Sequence, residues 1–155
     1  MYYVSTRNAR ERRTAAEAIA QGLAVDGGLM TPEVFPKLSH NALDTMRDMS
    51  YQQRAVYVMG SYLDDFTSSE LSSFAAKAYG GSKFDVKEVA PVRQVDGNTY
   101  CLELWHGPTC AFKDMALQML PHLLSASLVK NQEEKTVCIL VATSGDTGKA
   151  ALEGF

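Results

Sequence analysis

The first ninety residues place apolar side chains at the spacing expected of helices. In TAAEAIAQGLAVDGG, a helix is predicted from about Thr14 to a stop at Gly22, before a turn at Asp26 to Gly28. The stretch SYQQRAVYVMGSYL carries a second apolar helix face. A third helix is indicated at both ends in TSSELSSFAAKAYGG, by the capping-box pair Thr67 and Glu70 and by two closing glycines. This part of the chain is therefore predicted to be mostly helical.

Three shorter stretches complete the first part. Tyr2 to Ser5 is predicted to be a short strand, and TPEVFPKL a connection interrupted by prolines. The one basic cluster, RNARERR at Arg7 to Arg13, is predicted to be a solvated helix face, as charge runs usually are. The helical part thus contains only a minor strand component.

Near Ala90 the apolar residues begin to alternate with polar ones. PVRQVDGNTYCLEL predicts two strands joined at Asp96-Gly97, a dipeptide that tolerates the positive φ of a tight turn. A helix broken or kinked at Pro121 and the polar loop KNQEEK follow. The run TVCILVAT, Thr136 to Thr143, is continuously apolar and rich in β-branched residues, which is typical of a strand buried on both faces of a parallel sheet.

This order of elements sets the predicted fold class and domains. After Thr143 the chain enters SGDTGKAALEGF, a small-residue loop that opens a helix. Helix, buried strand, loop and helix in succession indicate an open α/β sheet. We expect an α/β protein with a mostly helical N-terminal domain at 1–90, then a β-hairpin and the start of an α/β domain at 91–155. One parallel strand cannot make a sheet, so we expect a longer protein.

Composition narrows the classes of function. The 155 residues carry a net charge of -3, which provides no attractive field for nucleic acid. No apolar stretch approaches the roughly 20 residues that span a bilayer, and no signal peptide is evident at the start. Cys101, Cys110 and Cys138 are an odd number without CxxC spacing, so neither a disulfide framework nor a zinc site is indicated. A cytoplasmic protein is expected.

The loop TSGDTGKAA is one of two stretches that could carry chemistry. Backbone N–H groups at a helix N-terminus after a strand can bind a carboxylate or a phosphate. A nucleotide P-loop would require a glycine at Thr143 and a hydroxyl at Ala150, so that alternative fails on spacing. A plain connection between strand and helix remains an equal alternative.

The second stretch is HGPTCAFKD, in which Lys113 stands at the opening turn of a helix. A cation is unfavourable there by roughly 0.3–1 kcal/mol, and the apolar neighbours Trp105, Phe112 and Met115 also favour the uncharged amine, which can form a Schiff base with a carbonyl. A lysine that extends along an amphipathic helix to solvent is an equal alternative. Metal binding by His106, Cys110 and Asp114 is disfavoured, because their spacing matches no usual ligand pattern.

HGPTCAFKD and ATSGDTGKAA, together with YVSTR and GLAVDGGLMTPE upstream, resemble the N-terminal part of the threonine synthase family, across the whole chain and in order. These enzymes use pyridoxal phosphate and have the tryptophan-synthase-β fold type. The resemblance implies that O-phospho-L-homoserine and water are converted to L-threonine and phosphate. It also implies that Lys113 is catalytic and holds the cofactor covalently.

The remaining site residues follow from the same resemblance. It implies cofactor contacts by Phe112, Asp114, Ser144, Asp146 and Thr147, and substrate contacts by Thr143, Ser144, Gly145, Thr147 and Gly148. Val25 and Pro121 depart from the family pattern, but both are structural. The loop that holds the cofactor phosphate and the group that faces the pyridine nitrogen lie further downstream in the family, so the chain alone is expected to be close to inactive. A serine or threonine dehydratase, an isolated interaction module and a homo-oligomer stay open as alternatives.

Overall fold

The computed structural model describes residues 1–155, which form seven helices and two small antiparallel sheets. The helices are α1 (Ala15–Gln21), α2 (His40–Arg47), α3 (Tyr51–Gly60), α4 (Ser68–Tyr79), α5 (Asp114–Leu117), α6 (Leu120–Lys130) and α7 (Asp146–Gly154). The strands are β1 (Tyr3–Ser5), β2 (Arg12–Arg13), β3 (Met30–Pro32), β4 (Val92–Asp96) and β5 (Thr99–Leu102).

Three helices of the first part begin with a capping box, in which side chain and backbone at the first turn bond each other reciprocally. The pairs are Thr14 with Glu17 in α1, Ser50 with Gln53 in α3, and Thr67 with Glu70 in α4. The predicted helices α1, α3 and α4 are therefore confirmed, and so is the stop of α1 at Gly22.

Helix α2 was not expected from the pattern of apolar residues. It buries none of its side chains, so it carries no clear apolar face. The Ser39 hydroxyl accepts from the Ala42 amide at its start, and the Arg54 guanidinium of α3 donates to the carbonyls of Met46 and Arg47 at its end. These end contacts compensate for the missing core contact, because they satisfy backbone groups that a helix leaves unpaired.

The three-stranded sheet corrects two predictions. The predicted strand at Tyr2 to Ser5 is present as β1, and it lies between β2 and β3. Arg12 and Arg13 form β2, so the basic cluster is not a helix face. Met30 to Pro32 form β3, so TPEVFPKL is not wholly a connection. Both misassigned stretches follow the free edges of β1, and an edge strand accommodates a proline because one side of it needs no N–H donor.

Helix α4 connects the two hydrophobic clusters of the core. Leu71 packs in a cluster that contains Ala15 and Ala16 of α1, whereas Tyr79 packs in a cluster that reaches Met119. The Tyr79 hydroxyl also donates to the Met115 carbonyl at 2.7 Å. Helix α5 is thereby fixed on α4, and its first residue comes directly after Lys113.

The second part confirms the predicted hairpin, the break before Pro121 and the C-terminal helix. Strands β4 and β5 pair across a turn at Gly97, whose φ is +44°. Helix α5 ends at Leu117, and α6 begins at Leu120 with Pro121 in its first turn, where a missing N–H costs nothing. The loop at 144–148 opens α7, as predicted.

The prediction of a buried parallel strand at Thr136 to Thr143 is wrong for this structure. These residues belong to neither helix nor strand, and all of them are exposed. A strand satisfies its backbone groups only through a neighbouring strand, and both sheets are composed of other residues.

The architecture is mixed α/β, as predicted, with a mostly helical first part. The cluster that contains Tyr79 and Met119 combines residues from both sides of position 90, and the division into domains there stays a prediction. None of the helices is long and apolar enough to cross a bilayer.

Candidate functional site

The turn at 106–113 presents Lys113 at the start of α5. The Cys110 amide donates to the Gly107 carbonyl at 3.0 Å, and the Asp114 amide donates to the Ala111 carbonyl at 3.0 Å. Cys110 has a φ of +56°, which is uncommon for a residue with a side chain and marks a tightly determined turn. Because α5 has only four residues, it carries a small part of the dipole of a long helix, and the dipole argument for Lys113 is weaker than the sequence suggested.

The Lys113 side chain is half-buried and takes part in no ion pair. Its Nζ lies 4.7 Å from the centroid of the exposed Phe112 ring. Other lysines are engaged differently: Lys130 Nζ lies 2.9 Å from Glu70 Oε1, and Lys83 Nζ lies 2.5 Å from Gln118 Oε1. The Lys113 amine is therefore covered on one side by an aromatic ring and is not neutralised by a carboxylate.

Asp114 has its carboxylate inside the turn. The side chain is fully buried, and Thr109 donates to it twice, from the amide to Oδ2 at 2.9 Å and from the hydroxyl to Oδ1 at 2.7 Å. Gly107 packs directly against it, since a Cβ at Gly107 would lie 2.6 Å from Asp114 Cβ. The aspartate thus holds the chain in front of Lys113 in a closed turn.

The loop before α7 is held by Thr143. The Thr143 hydroxyl accepts from the amide of Gly145 at 3.2 Å and from the amide of Gly148 at 3.0 Å. Ser144, Gly145 and Asp146 are exposed, and the first turn of a helix leaves N–H groups without intrahelical partners. This is the geometry of an anion site, with the Asp146 carboxylate in its first turn as a competing internal anion.

The two chemical stretches meet in the fold. Helix α7 packs on α5 through its buried side, which contains Ala150 and Ala151. Lys149 Nζ donates to the Thr109 carbonyl at 3.2 Å, from one loop to the other. The structure therefore places the lysine turn and the 143–148 loop side by side, as the residues of a single site would be.

His106 is a feature of this turn for which the sequence analysis found no role beyond a disfavoured metal ligand. Its Nε2 lies 2.8 Å from Glu103 Oε2 and its Nδ1 lies 2.6 Å from Asp85 Oδ1. Glu103 above all, together with Asp85, raises the pKa of His106, because the imidazolium is stabilised between two carboxylates. The Glu103 to His106 spacing was visible in the sequence, but Asp85 reaches the histidine only through the fold.

Nothing resembling a metal centre forms around His106. Asp114 is turned towards Thr109, and no group of three or more His, Cys, Asp or Glu side chains is arranged to hold a metal ion. His122 lies elsewhere, stacked on Phe74 with 6.1 Å between ring centroids.

The largest groove lies on the other side of Phe112. It measures about 1090 Å³ and runs between α3 and the β4–β5 hairpin, with Tyr51, Leu104, Phe112 and Met115 in its mostly apolar wall. Neither Lys113 nor the 143–148 loop lines it. We therefore locate the site by its side-chain chemistry and not by groove size.

Comparison with known proteins places the chain among one group. The family described as "Threonine synthase N terminus" matches residues 2–79. Threonine synthase of Methylobacillus glycogenes is 38% identical over 158 residues, covering 97% of this chain and 33% of that protein. A crystal structure of threonine synthase from Brucella melitensis with pyridoxal phosphate bound superposes with a TM-score of 0.91 at 37% identity, over 100% of this chain and 33% of that one.

Threonine synthase from yeast gives a TM-score of 0.88 at 36% identity, over 99% of this chain and 32% of that one. The chain thus spans about one third of the length of each of these proteins.

Proposed function

The chain belongs to the threonine synthase family, and we propose that it supplies the part of a threonine synthase active site in which Lys113 binds pyridoxal phosphate covalently. The proposed reaction converts O-phospho-L-homoserine and water to L-threonine and phosphate, as a carbon–oxygen lyase. The ligand in the Brucella melitensis relative supports the choice of cofactor.

The observation that carries the proposal is the environment of Lys113 Nζ. A lysine paired with a carboxylate is held in its charged form, whereas an uncharged amine is the nucleophile that attacks an aldehyde carbon. Lys113 is absent from the ion pairs of the chain, and the Phe112 ring lies 4.7 Å from its Nζ. The residues present therefore fit a group that binds through an aldehyde.

The neighbouring loop fits the anionic groups of a substrate or cofactor. In this proposal Ser144, Gly145 and Gly148 bring the backbone close to the ligand, and Thr147 offers a hydroxyl at the start of α7. When bound, pyridoxal phosphate supplies an electron sink for proton removal from an amino acid. Phe112 shields one side of the lysine amine from water, and Thr143 keeps the loop in shape through its two amide contacts.

Labelling tests the role of Lys113 directly. The chain is incubated with pyridoxal phosphate, reduced with borohydride and mapped by peptide mass spectrometry. We expect the label mainly on Lys113, and its loss in Lys113→Ala. Lys37→Ala is the matched control, because Lys37 is exposed and far along the chain. Label that stays on Lys130 or Lys149 while Lys113 is unmodified would contradict the assignment.

The 155 residues by themselves are proposed to be close to inactive. A cofactor phosphate is normally held by several charge-assisted hydrogen bonds, each contributing roughly 1.5–3 kcal/mol, and we propose that the groups which make them lie in the part of the relatives that this chain does not span. Phosphate release from O-phospho-L-homoserine should therefore not be sustained. Stoichiometric cofactor uptake with continuing phosphate release would overturn this part of the proposal.

The setting of the protein is proposed from its thiols and its ligand chemistry. Cys101, Cys110 and Cys138 are free, which supports a reducing compartment such as the cytoplasm. The proposed partner is a small anionic amino acid, which suits the site at 143–148. Mass spectrometry of the purified protein with and without reductant checks the thiols.

A further inference from the structure

Thr109 contacts both halves of the candidate site with all three of its polar groups. Its amide and its hydroxyl donate to the two oxygens of Asp114, at 2.9 and 2.7 Å. Its carbonyl accepts from Lys149 Nζ of α7 at 3.2 Å. Thr109 is itself 6% exposed, so these bonds form largely out of water, where hydrogen bonds to a charged group are strong.

Asp114 has little freedom to do anything else. It is 0% exposed and both of its oxygens bond Thr109. On the opposite side Gly107 approaches so closely that a Cβ there would lie 2.6 Å from Asp114 Oδ2. The carboxylate is enclosed between these two residues of the same turn.

We propose that Thr109 is a positioning residue that holds the Lys113 turn and the 143–148 loop in one arrangement. The inference rests on the proposed function for the identity of what is positioned. Asp114 acts here through Thr109 and does not contact the cofactor. Lys113 directly precedes Asp114, so a fixed Asp114 side chain also fixes the backbone from which the Lys113 amine extends.

The Lys149 contact extends the same constraint to α7. Lys149 lies four residues after Gly145, and its amide donates to the Gly145 carbonyl at 2.9 Å, so its backbone belongs to the first turn of that helix. A change in the position of the Thr109 carbonyl therefore acts on the 143–148 loop, and a change at Lys149 acts on the turn. Coupling of this kind is reciprocal.

Amide hydrogen exchange without cofactor tests the coupling. Thr109→Val removes the hydroxyl that bonds Asp114 but keeps the size and branching of the side chain, whereas Thr109→Ser keeps the hydroxyl. In the valine variant we expect exchange to rise about tenfold in peptides covering 107–117 and also in peptides covering 144–152, the effect of losing one charge-assisted hydrogen bond. The serine variant should exchange like the original chain.

Lys149→Met is the reciprocal variant, and it is safe for folding because Lys149 is exposed. It should accelerate exchange at 107–117 by about two- to fivefold, as expected for the loss of a weaker, partly exposed hydrogen bond. Lys37→Met is the matched control and should leave both regions unchanged. Faster exchange confined to the mutated side in both Thr109→Val and Lys149→Met would overturn the proposal.

Labelling by pyridoxal phosphate and borohydride separates this inference from the proposed function. Thr109→Val should lower the labelled fraction of Lys113 about tenfold, and Thr109→Ser should restore it. If the original chain is labelled on Lys113 but Thr109→Val labels equally well, the positioning role fails and the proposed function stands. If Lys113 is never labelled while exchange stays coupled, the proposed function fails and the coupling stands.

Discussion

Helix α4 and the segment Thr136–Thr143 are both rich in apolar side chains, yet only α4 is a packed element. In α4, Leu71 is 1% exposed, whereas Leu140 in the segment is 91% exposed. A helix closes its own backbone hydrogen bonds and needs only a surface to pack on, whereas a strand needs a second strand for its backbone. Apolar composition therefore predicts burial only where the 155 residues also contain the partner surface.

The largest effect should separate these two leucines. Leu71→Ala should lower the free energy of unfolding by about 2–5 kcal/mol, because it leaves a cavity in the cluster between α1 and α4. Leu140→Ala, the matched variant, should change it by less than about 0.5 kcal/mol. Denaturant unfolding followed by circular dichroism measures both. Equal effects would mean that the segment is packed in solution and would remove the contrast.

Two glycines extend the comparison to the candidate site. Gly107→Ala should destabilise the chain by about 1–3 kcal/mol, since the new Cβ would meet the buried Asp114 at 2.6 Å. At Gly148→Ala the nearest atoms are the Thr143 hydroxyl at 2.9 Å and a Val141 methyl at 3.3 Å, both on exposed side chains that can move.

We expect a clearly smaller loss at Gly148→Ala, measured as the shift in the midpoint of thermal unfolding. A larger loss at Gly148 would show that the 143–148 loop, and not the lysine turn, is the more rigid half of the site.

A smaller effect concerns the ion pair that ties α4 to α6. Lys130, with added help from the amide and hydroxyl of Thr67, lowers the pKa of Glu70 to about 2 from its ordinary 4.5. A lowered pKa in the folded state stabilises above the ordinary value, and this stability is lost as the pH falls towards about 2. Glu70→Gln should therefore cost less than about 1 kcal/mol at about pH 7, because the pair is partly exposed to solvent.

The difference between Glu70→Gln and the original chain should disappear once the pH falls below the folded pKa of Glu70. Urea unfolding across this pH range measures it. Glu134→Gln, in the exposed loop before the apolar segment, is the control and should show no such pH dependence. A difference that persists in acid would exclude the ion pair as its source.

The smallest effect is a difference in titration between two histidines. Glu103 and then Asp85 raise the pKa of His106, whereas burial, with Lys77 and Lys83, lowers the pKa of His122. His106 therefore stabilises the fold fully below its ordinary pKa of 6.5, and this contribution is lost as the pH rises through its raised folded value.

NMR titration of the imidazole protons should show His106 titrating at a higher pH than His122. Glu103→Gln should lower the His106 midpoint and leave His122 unchanged. The reverse order of midpoints would show that the contacts at the turn do not form in solution.

Local signals in the sequence predicted most of the helices. Thr14, Thr67 and Gly22 mark helix ends because capping depends on residues within one turn. The hairpin at Asp96-Gly97 was predictable for the same reason. Strands β2 and β3 were missed, because their pairing depends on β1, which is eight or more residues away in the chain.

For the candidate site, the sequence by itself determined which residues carry the chemistry. Lys113 and the small residues at 144–148 are recognisable because side-chain type and spacing are properties of the chain. The tertiary structure alone decided that Asp114 points inward to Thr109, that Asp85 meets His106, and that Lys149 reaches the Thr109 carbonyl. The physical reason is that each of these contacts joins groups whose separation and direction are set by packing, and an apolar or charged pattern along the chain does not encode direction.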